Sequence, residues 1–235
     1  MKIKTVLFDL DGTLLPMNQD LFIASYFKNI AKSLAMHGYD GEKIAKTIWT
    51  ATVAMLKNDG KLRNDQLFWQ VANGLYGEEI SQAEKYFDAF YAQEFDLLKS
   101  TCGVNPKASE LVEWLKKKGM RIALATNPVF PSVATHKRMA WAGIDKSCFE
   151  LVTTYENSRY CKPNPAYYQD VVSALGVSPS ECLMVGNDVR EDMVAQSLGM
   201  NVFLLTDCLI NRDNQDISVY PHGNFDDLKE FINTL

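Results

Sequence analysis

The chain has 235 residues, 47% of them hydrophobic and 23% charged, which is enough for one large domain or two modest domains with hydrophobic cores. A net charge of −5 argues against a nucleic-acid-binding surface, and five scattered cysteines without a Cys-x-x-Cys pair argue against a disulfide framework or a zinc site. No apolar run approaches the roughly 20 residues that cross a bilayer, and no signal-peptide pattern precedes the first strand, so we expect a cytoplasmic protein with no membrane partner.

The first predicted element is a strand over Thr5–Phe8, whose apolar and β-branched residues are too few for a helix. Such a run is typical of a strand buried on both faces of a parallel sheet. Asp9 and Asp11 follow at once, and Gly12 and Thr13 then form a turn. Alone, Asp9 could equally be a helix N-cap and Asp11 a turn residue. Open α/β sheets bind ligands at the carboxyl ends of their strands, so the pair is a candidate site.

Residues 17–100 are predicted to be helical throughout. Four apolar stripes at spacings of three and four residues indicate four amphipathic helices, which short connections would join into an antiparallel bundle. The stripes are Ile23, Phe27, Ile30 and Leu34; Ile44, Ile48, Ala51 and Met55; Leu67, Val71 and Leu75; and Phe87, Tyr91, Phe95 and Leu98. The aromatic residues, with Trp49 and Trp69 among them, are interpreted as bundle core.

From residue 101 onwards, predicted strands alternate with predicted helices. The strands cover 121–125, 149–153, 182–186 and 201–205, and the helices cover 106–118, 132–142, 165–175, 191–198 and 225–232. This alternation predicts a parallel sheet with right-handed crossovers. Residues 206–224 form a polar, irregular stretch that is longer than most connections, and its function is not readable from the sequence.

The predicted fold class is therefore α/β, with a doubly wound, Rossmann-like parallel sheet as the core. Residues 1–16 and 101–235 would form this core domain, and residues 17–100 would form an inserted helical cap. The insertion follows the first strand, so it leaves the sheet from the same edge as the two aspartates. Both connections contain residues that could absorb a hinge rotation of the cap.

Polar residues also follow three later strands. Thr126 and Asn127 follow the second strand, Lys162 follows the third, and Asp188 and Asp192 follow the fourth. The carboxyl ends of parallel strands share one edge, so these side chains can converge on the first two aspartates. Each has an ordinary alternative when taken alone: a turn for Thr126, solvated surface for Lys162, and a helix N-terminus for the acids. Their joint occurrence in this order favours a site.

In this order, the four groups resemble the motifs of the haloacid dehalogenase superfamily, most of whose members are magnesium-dependent phosphatases. The matching residues are Asp9 with Asp11, Thr126, Lys162, and Asp188 with Asp192. A helical insertion between the first and second motifs is similar to the first cap class of that superfamily. The resemblance covers the whole chain.

The resemblance implies four catalytic residues. Asp9 would attack phosphorus to form an aspartyl-phosphate. Asp11, its pKa raised by a nearby carboxylate and by partial burial, would protonate the leaving oxygen and then deprotonate the attacking water. Thr126 would hold a phosphate oxygen, and Lys162 would keep Asp9 ionised and stabilise the charge of the phosphoryl group.

The implied metal is Mg²⁺, bound by Asp9, by the carbonyl of Asp11 and by the acidic pair. Many relatives with this cap class carry the first acid of the pair at the position that Asn187 occupies here. The spacing of Asp188 and Asp192 fits another arrangement of the superfamily. We expect Asp188 to contact the metal and Asp192 to act around it, and the choice between positions 187 and 188 stays open.

Phosphate or substrate contacts are expected from five residues, namely Gly12, Thr13, Asn127, Lys57 and Arg63. Lys57 and Arg63 belong to a donor-rich turn that joins two cap helices, and closure of the cap would bring this turn onto the leaving group. A solvated hairpin tip that faces away from the site is an equal alternative, because turns are usually polar.

The leading hypothesis is a magnesium-dependent phosphatase that hydrolyses a small phosphorylated metabolite as a monomer or homodimer. A sugar phosphomutase of the same superfamily is the alternative, although such relatives usually carry Val where Thr13 stands. Asp11 argues against a dehalogenase and a phosphonatase, which lack this carboxylate. A non-catalytic binding protein on the same fold would usually have lost one of the motif residues.

Overall fold

Six parallel strands form one sheet in residues 3–235, the part of the chain that the computed structural model describes. In chain order they are β1 (Thr5–Phe8), β2 (Arg121–Leu124), β3 (Leu151–Val152), β4 (Cys182–Gly186), β5 (Asn201–Leu205) and β6 (His222–Gly223). In space the order is β3-β2-β1-β4-β5-β6. The chain therefore winds outwards from β1 in both directions, which confirms the predicted doubly wound α/β fold.

β1 lies next to the centre of the sheet because all four of its residues are apolar or β-branched and buried. Phe8 pairs with Leu124 of β2 on one side and with Val185 of β4 on the other. The N–H of Asp9 donates to the carbonyl of Val185 at 2.9 Å and so extends the ladder by one residue. Asp9 thus lies at the carboxyl edge of the sheet, directly after the apolar residues of β1.

Eight α-helices accompany the sheet within residues 3–235: α1 (Gln19–Ala35), α2 (Gly41–Leu56), α3 (Asn64–Tyr76), α4 (Glu84–Ala89), α5 (Pro106–Lys117), α6 (Ser132–Trp141), α7 (Pro165–Leu175) and α8 (Phe225–Thr234). Asparagine side chains cap several of them; Asn105 and Asn164 each precede a proline in the first turn. Among the described residues, no helix has both the length and the apolar character of a membrane span.

Helices α1 to α4 lie in the predicted insertion, and two details of that prediction are wrong. The buried face of α3 consists of Phe68, Ala72 and Tyr76, one residue beyond the predicted stripe, and Leu75 is half exposed. The large rings bury more apolar surface than the leucines would, which favours this face. The predicted fourth helix is irregular: α4 is followed by a π-helical segment, Phe90–Glu94, and a 3-10 segment, Phe95–Thr101.

Two further differences concern the end of the chain. The predicted helix over 191–198 is a short 3-10 segment, Met193–Leu198. The stretch 206–224 contains an unpredicted strand, β6, which pairs with β5. β6 has only two residues, and His222 is exposed. It is therefore too short to show the alternation of apolar and polar residues by which a strand is recognised in a sequence.

Aromatic side chains pack the insertion against the sheet domain. Phe130, in the loop after β2, lies edge-on to Phe22 and Tyr26 of α1, with ring centroids 6.1 and 5.1 Å apart. Trp141 of α6 stacks on Phe95 at 5.3 Å. One continuous hydrophobic cluster therefore includes both parts of the chain. The two connecting segments also touch, because the N–H of Gly103 donates to the carbonyl of Pro16 at 2.7 Å.

The turn over residues 57–64 is anchored to the sheet domain by Asn64, which is fully buried. Its Nδ2 donates to the carbonyl of Pro128 at 3.0 Å, and its Oδ1 accepts from Asn58 Nδ2 at 2.8 Å. Its backbone N–H donates to the carbonyl of Ser158 at 2.8 Å. One end of the turn is therefore fixed to two loops of the sheet domain, while its four charged side chains, Lys57, Asp59, Lys61 and Arg63, are exposed.

Replacing Asn64 with Ala should lower the free energy of unfolding by about 2 to 3 kcal/mol, because the Pro128 carbonyl and the Asn58 amide would each lose a buried partner. Urea denaturation measures this change. Asn233→Ala is the matched control, since Asn233 is exposed and bonds only a lysine side chain. Equal losses for the two variants would contradict the anchoring role.

Candidate active site

Lys162 lies in a buried cluster of charges at the carboxyl edge of the sheet. Its Nζ donates to Asp9 Oδ1 at 3.0 Å and to Asp192 Oδ1 at 2.7 Å, and its side chain is 1% exposed. Burial opposes the charged form, but Asp192 and Asp9 outweigh burial and raise the pKa of Lys162 well above its ordinary value. Lys162 is therefore an ammonium that joins two carboxylates from different strand ends.

Thr13 and Asn187 position the other oxygen of Asp9. The Thr13 hydroxyl lies 3.0 Å from Asp9 Oδ2 and 3.0 Å from Asn187 Oδ1, so its one proton can be donated to either. Asn187 Nδ2 donates to the carbonyl of Cys208 at 2.6 Å, which fixes the amide. Both the oxygen and the nitrogen of the Asn187 side chain therefore have hydrogen-bond partners within the protein.

Gly12 makes room for this arrangement. Its φ is +86°, and a Cβ at this position would lie 2.3 Å from Asn187 Nδ2, so only glycine fits. The N–H of Gly12 donates to Leu15 and that of Thr13 donates to Leu10, at 2.8 and 3.2 Å. Both N–H groups are therefore used within the turn, and the two residues position Asp9; their predicted contact with phosphate stays a prediction.

Asp192 is buried beneath the end of β4. Its Oδ2 accepts the N–H of Asp188 at 3.0 Å, while its Oδ1 accepts from Lys162. A Cβ on Gly186 would lie 2.1 Å from Asp192 Oδ2, so the glycine makes this approach possible. Burial raises the pKa of Asp192, and the nearby Asp9 adds to the rise. Because both carboxylate oxygens have protein donors, Asp192 acts on the site through Lys162 and Asp188.

Asp188, rather than Asn187, faces the open space above the cluster. It lines a cavity of about 510 Å³ together with Asp11, Asn127, Lys162 and Glu191. We call this the larger cavity. The insertion covers it from the opposite side, and residues of the 206–224 stretch, Arg212 among them, close its edge. The sequence analysis could assign no function to that stretch, and the structure now places it against the site.

The oxygen donors at the cavity floor suit Mg²⁺. Asp9, the Asp11 carbonyl and Asp188 would supply the hard oxygen ligands, and Mg²⁺ usually takes one or two carboxylates and leaves positions for water and substrate phosphate. Among residues 3–235, no group of three or more His, Cys, Asp or Glu side chains is arranged to hold a metal alone. Asp192 does not line this cavity and its side chain is 1% exposed, which agrees with the expectation that it acts around the metal and not as a ligand.

Asp11 forms an ion pair with Arg138, a residue that the sequence analysis missed. Arg138 NH1 donates to Asp11 Oδ2, and the side chain of Arg138 is 1% exposed. The guanidinium also lies over the Phe130 ring, 4.5 Å from its centroid. Burial raises the pKa of Asp11, Arg138 opposes the rise and Asp9 adds to it. This is the direction that the sequence analysis expected for Asp11.

A signal for Arg138 exists in the sequence. The buried residues of α6 are Ala134, Thr135, Arg138, Met139 and Trp141, so the arginine lies within the apolar stripe of its helix. A cation at such a position requires a buried partner. Periodicity alone does not identify that partner, because Asp11 is 127 residues away in the chain.

Two buried oxygens at the larger cavity have no hydrogen-bond donor among the described residues, namely Asp11 Oδ1 and Asn127 Oδ1. Asn127 Nδ2 donates to Glu191 Oε2 at 2.9 Å. Thr126 is 1% exposed, and its carbonyl accepts from Thr153 Oγ1 at 2.8 Å and from Tyr167 Oη at 2.9 Å, which fixes the end of β2. Buried acceptors without donors indicate where a ligand or water would bind.

The two cap residues predicted to contact substrate have different positions. Lys57 lines the larger cavity. Arg63 does not, because it is the N-cap residue of α3 and its guanidinium turns back to pair with Asp65 at 2.8 Å. The geometry therefore gives no support to a substrate contact from Arg63, whose side chain is half exposed.

Residues 3–198 match the model of the family described as haloacid dehalogenase-like hydrolase. The chain belongs to this family. The match includes Lys162, Asp9 and Asp192 and extends over the insertion.

Several proteins are similar to this hydrolase at low sequence identity. The pyrophosphatase PpaX of Bacillus cereus (strain AH820) is 25% identical over 199 residues, which are 85% of this chain and 81% of that protein. A crystal structure of 2-haloacid dehalogenase from Pseudomonas syringae pv. Tomato DC3000 has a TM-score of 0.66 at 19% identity, covering 99% of both chains. A predicted phosphoglycolate phosphatase from Haemophilus somnus 129pt has a TM-score of 0.59 at 22% identity, covering 98% of both. These two structures show a shared fold.

In this hydrolase, Arg138→Met should lower the free energy of unfolding by about 3 to 5 kcal/mol, because it leaves a buried carboxylate without its cation. The double variant Arg138→Met with Asp11→Asn should be more stable than Arg138→Met alone, since it also removes that charge. Chemical denaturation of the wild type, both single variants and the double variant measures the coupling. Additive losses would show that the ion pair does not stabilise the fold.

Glu191 should make the stability of the hydrolase depend on pH. Burial raises the pKa of Glu191 from 4.5 to about 7. The folded protein then holds this proton more tightly than the unfolded chain, so the contribution of Glu191 to the unfolding free energy falls as pH rises from about 4.5 to about 7. The difference in unfolding free energy between Glu191→Gln and wild type should therefore shift by about 3 kcal/mol in favour of the variant between pH 4 and pH 8.

Urea denaturation at the two pH values, with a chelator present, checks this expectation. Glu230→Gln is the matched control because Glu230 is exposed, and it should keep the wild-type pH dependence. If Glu191→Gln and the control gave the same difference, Glu191 would not be the residue responsible.

Proposed function

We propose that this hydrolase is a magnesium-dependent phosphatase that acts on a small phosphomonoester and uses Asp9 as its nucleophile. The observation that carries the proposal is the way Asp9 is held. Lys162 fixes one of its oxygens at 3.0 Å and Thr13 lies 3.0 Å from the other, at the end of a buried strand below the larger cavity. A positioned carboxylate beside an ammonium can attack a phosphoryl group whose charge the ammonium offsets.

The reaction would proceed in two displacements. An oxygen of Asp9 attacks phosphorus, the bond from phosphorus to the leaving oxygen breaks, and Asp11 gives its proton to that oxygen. A water molecule then attacks the aspartyl-phosphate, Asp11 takes the proton of this water, and inorganic phosphate leaves with Asp9 restored. Burial of Asp11 favours its protonated form and Arg138 favours the ionised form, which suits a residue that must alternate between them.

Other residues would bind and orient the phosphoryl group. Lys162 offers a fixed positive charge, and Asn127 and Thr126 lie at the end of β2 beside it. Mg²⁺, held by Asp9, the carbonyl of Asp11 and Asp188, would neutralise charge on the phosphoryl oxygens. Asp192 would keep Lys162 and Asp188 in place, since it bonds both.

A second candidate function is hydrolysis of inorganic pyrophosphate. The relative PpaX carries the name pyrophosphatase. Three exposed cations, Lys57, Arg190 and Arg212, line the larger cavity and could take a second phosphate group. The chemistry at Asp9 would be the same for both candidates, so a comparison of substrates separates them.

Asp9→Asn should lower turnover of p-nitrophenyl phosphate by at least about 1,000-fold, because a carboxamide cannot form the acyl phosphate. A chelator should abolish wild-type turnover, and added Mg²⁺ should restore it. Asp11→Asn should slow alkyl phosphates more than p-nitrophenyl phosphate, since a poor leaving group needs the proton more. Steady-state phosphate release measures all of these rates.

Asp213→Asn is the matched control, because Asp213 lines the same cavity from the exposed 206–224 stretch. It should keep turnover near that of the wild type. If Asp9→Asn retained activity within about tenfold of wild type, which is about 1.4 kcal/mol of barrier, Asp9 would not be the nucleophile. A higher kcat/KM for pyrophosphate than for every monoester would favour the second candidate.

A further inference from the structure

A second, smaller cavity of about 110 Å³ lies between the insertion and the sheet domain. Nine of the residues that line it are aromatic, including Phe27, Trp49 and Trp69. We call it the aromatic cavity. The proposed phosphatase mechanism uses none of these rings, so their arrangement needs a separate explanation.

The aromatic cavity adjoins the larger cavity. Five residues line both of them, namely Ile23, Trp49, Thr52, Val129 and Phe130. The first three belong to the insertion and the last two to the loop that follows β2. A molecule with its phosphate at Asp9 could therefore extend between these residues into the aromatic cavity.

The two cavities differ in charge. The larger cavity is lined by four cationic side chains, Lys57, Lys162, Arg190 and Arg212, and by four carboxylates, Asp11, Asp188, Glu191 and Asp213. The aromatic cavity has no lysine, arginine or histidine in its described lining, and its two charged residues are the carboxylates Glu84 and Asp88, both exposed. An anionic group can therefore pair with a cation in the first cavity, whereas in the second it would meet only carboxylates and apolar side chains.

Apolar side chains of the insertion are exposed where the cavities meet. Trp49 is 54% exposed, although Ile48 and Ala51 beside it on α2 are buried, and Ile23 is 38% exposed. The sequence analysis expected Trp49 and Ile23 to belong to the bundle core, and that expectation is wrong. The ring of Trp49 lies edge-on to Phe27 at 6.0 Å, which leaves apolar surface for a ligand to cover.

We propose that the physiological phosphomonoester carries a compact, uncharged apolar group that occupies the aromatic cavity while its phosphate lies at Asp9. This inference rests on the proposed phosphatase function. The volume of about 110 Å³ limits the group to a branched alkyl chain or a small ring, since an apolar cavity of about 150 Å³ binds benzene. A second phosphate or a carboxylate would have no cation to meet in this cavity.

A matched pair of substrates tests the proposal. Ethyl phosphate and 3,3-dimethylbutyl phosphate have the same charge and similar primary alcohols as leaving groups, and they differ only in apolar bulk. The kcat/KM for 3,3-dimethylbutyl phosphate should exceed that for ethyl phosphate by at least about tenfold, because only the longer ester reaches the aromatic cavity. Equal values would overturn the proposal.

Thr52→Phe tests where the apolar group binds, because Thr52 lines both cavities. The added ring should block the passage, so the ratio of the two kcat/KM values should fall to near one. Thr50→Phe is the matched control, since Thr50 lies on the same helix, is exposed and lines neither cavity. It should keep the wild-type ratio. A wild-type ratio in Thr52→Phe would overturn the placement of the apolar group.

Binding of 3,3-dimethylbutylphosphonate, measured by calorimetry, gives a readout without turnover. Wild type and Thr50→Phe should bind it at least about tenfold more tightly than ethylphosphonate, and Thr52→Phe should not. If no ester were hydrolysed but this binding preference held, the proposed function would fail and the apolar site would stand.

Phosphocholine separates the two kinds of group that aromatic rings bind, because it is the cationic counterpart of 3,3-dimethylbutyl phosphate. A lower kcat/KM for phosphocholine than for the neutral ester is the expected result. A higher value would overturn the assignment of an uncharged group and would indicate that Glu84 and Asp88 select a cation.

Discussion

The ion pairs of Lys162 hold the candidate site together. One ammonium joins Asp9 after β1 to Asp192 after β4, and Asp192 in turn accepts the N–H of Asp188. Loss of one partner would leave a buried charge uncompensated, which typically costs about 3 to 5 kcal/mol. The requirement extends to the backbone, because Gly186 must lack a side chain for Asp192 to lie beneath the strand. The site therefore depends on this small set of residues being complete.

Asp9 and Asp11 are two residues apart but have different cations. Asp9 meets Lys162, which belongs to the sheet domain alone, whereas Asp11 meets Arg138, whose guanidinium lies over Phe130. Phe130 also packs against Phe22 of the insertion. Two neighbouring carboxylates thus have separate environments, which is how one site can hold a nucleophile and an acid-base group. Asp11 is therefore connected to the insertion through Arg138 and Phe130.

The sequence was sufficient to predict the parallel sheet and the cluster around Asp9. Short apolar runs indicate the strands, and the polar residues that follow them, Thr126 and Lys162 among them, meet at the carboxyl edge of the sheet. It was not sufficient for Arg138 or Asn64, whose partners are distant in the chain and whose residue types are common on surfaces and in turns. The face of α3 was wrong by one residue because Leu67, Val71 and Leu75 have the same periodicity as Phe68, Ala72 and Tyr76. Periodicity alone does not show which of two such stripes is buried. The apolar surface that each stripe buries decides it.

The hydrogen bond from Gly103 to Pro16 and the bridge between Met17 and Cys102 bring the two ends of the insertion together. The sheet domain therefore carries residues 17–100 as a loop with adjacent ends, and none of its six strands runs through that loop. A different helical module with closely spaced termini could be grafted at the same two residues without altering the strand order. Under the proposed function, exchange of the insertion could change substrate preference while Lys162 and the carboxylates around it stay the same.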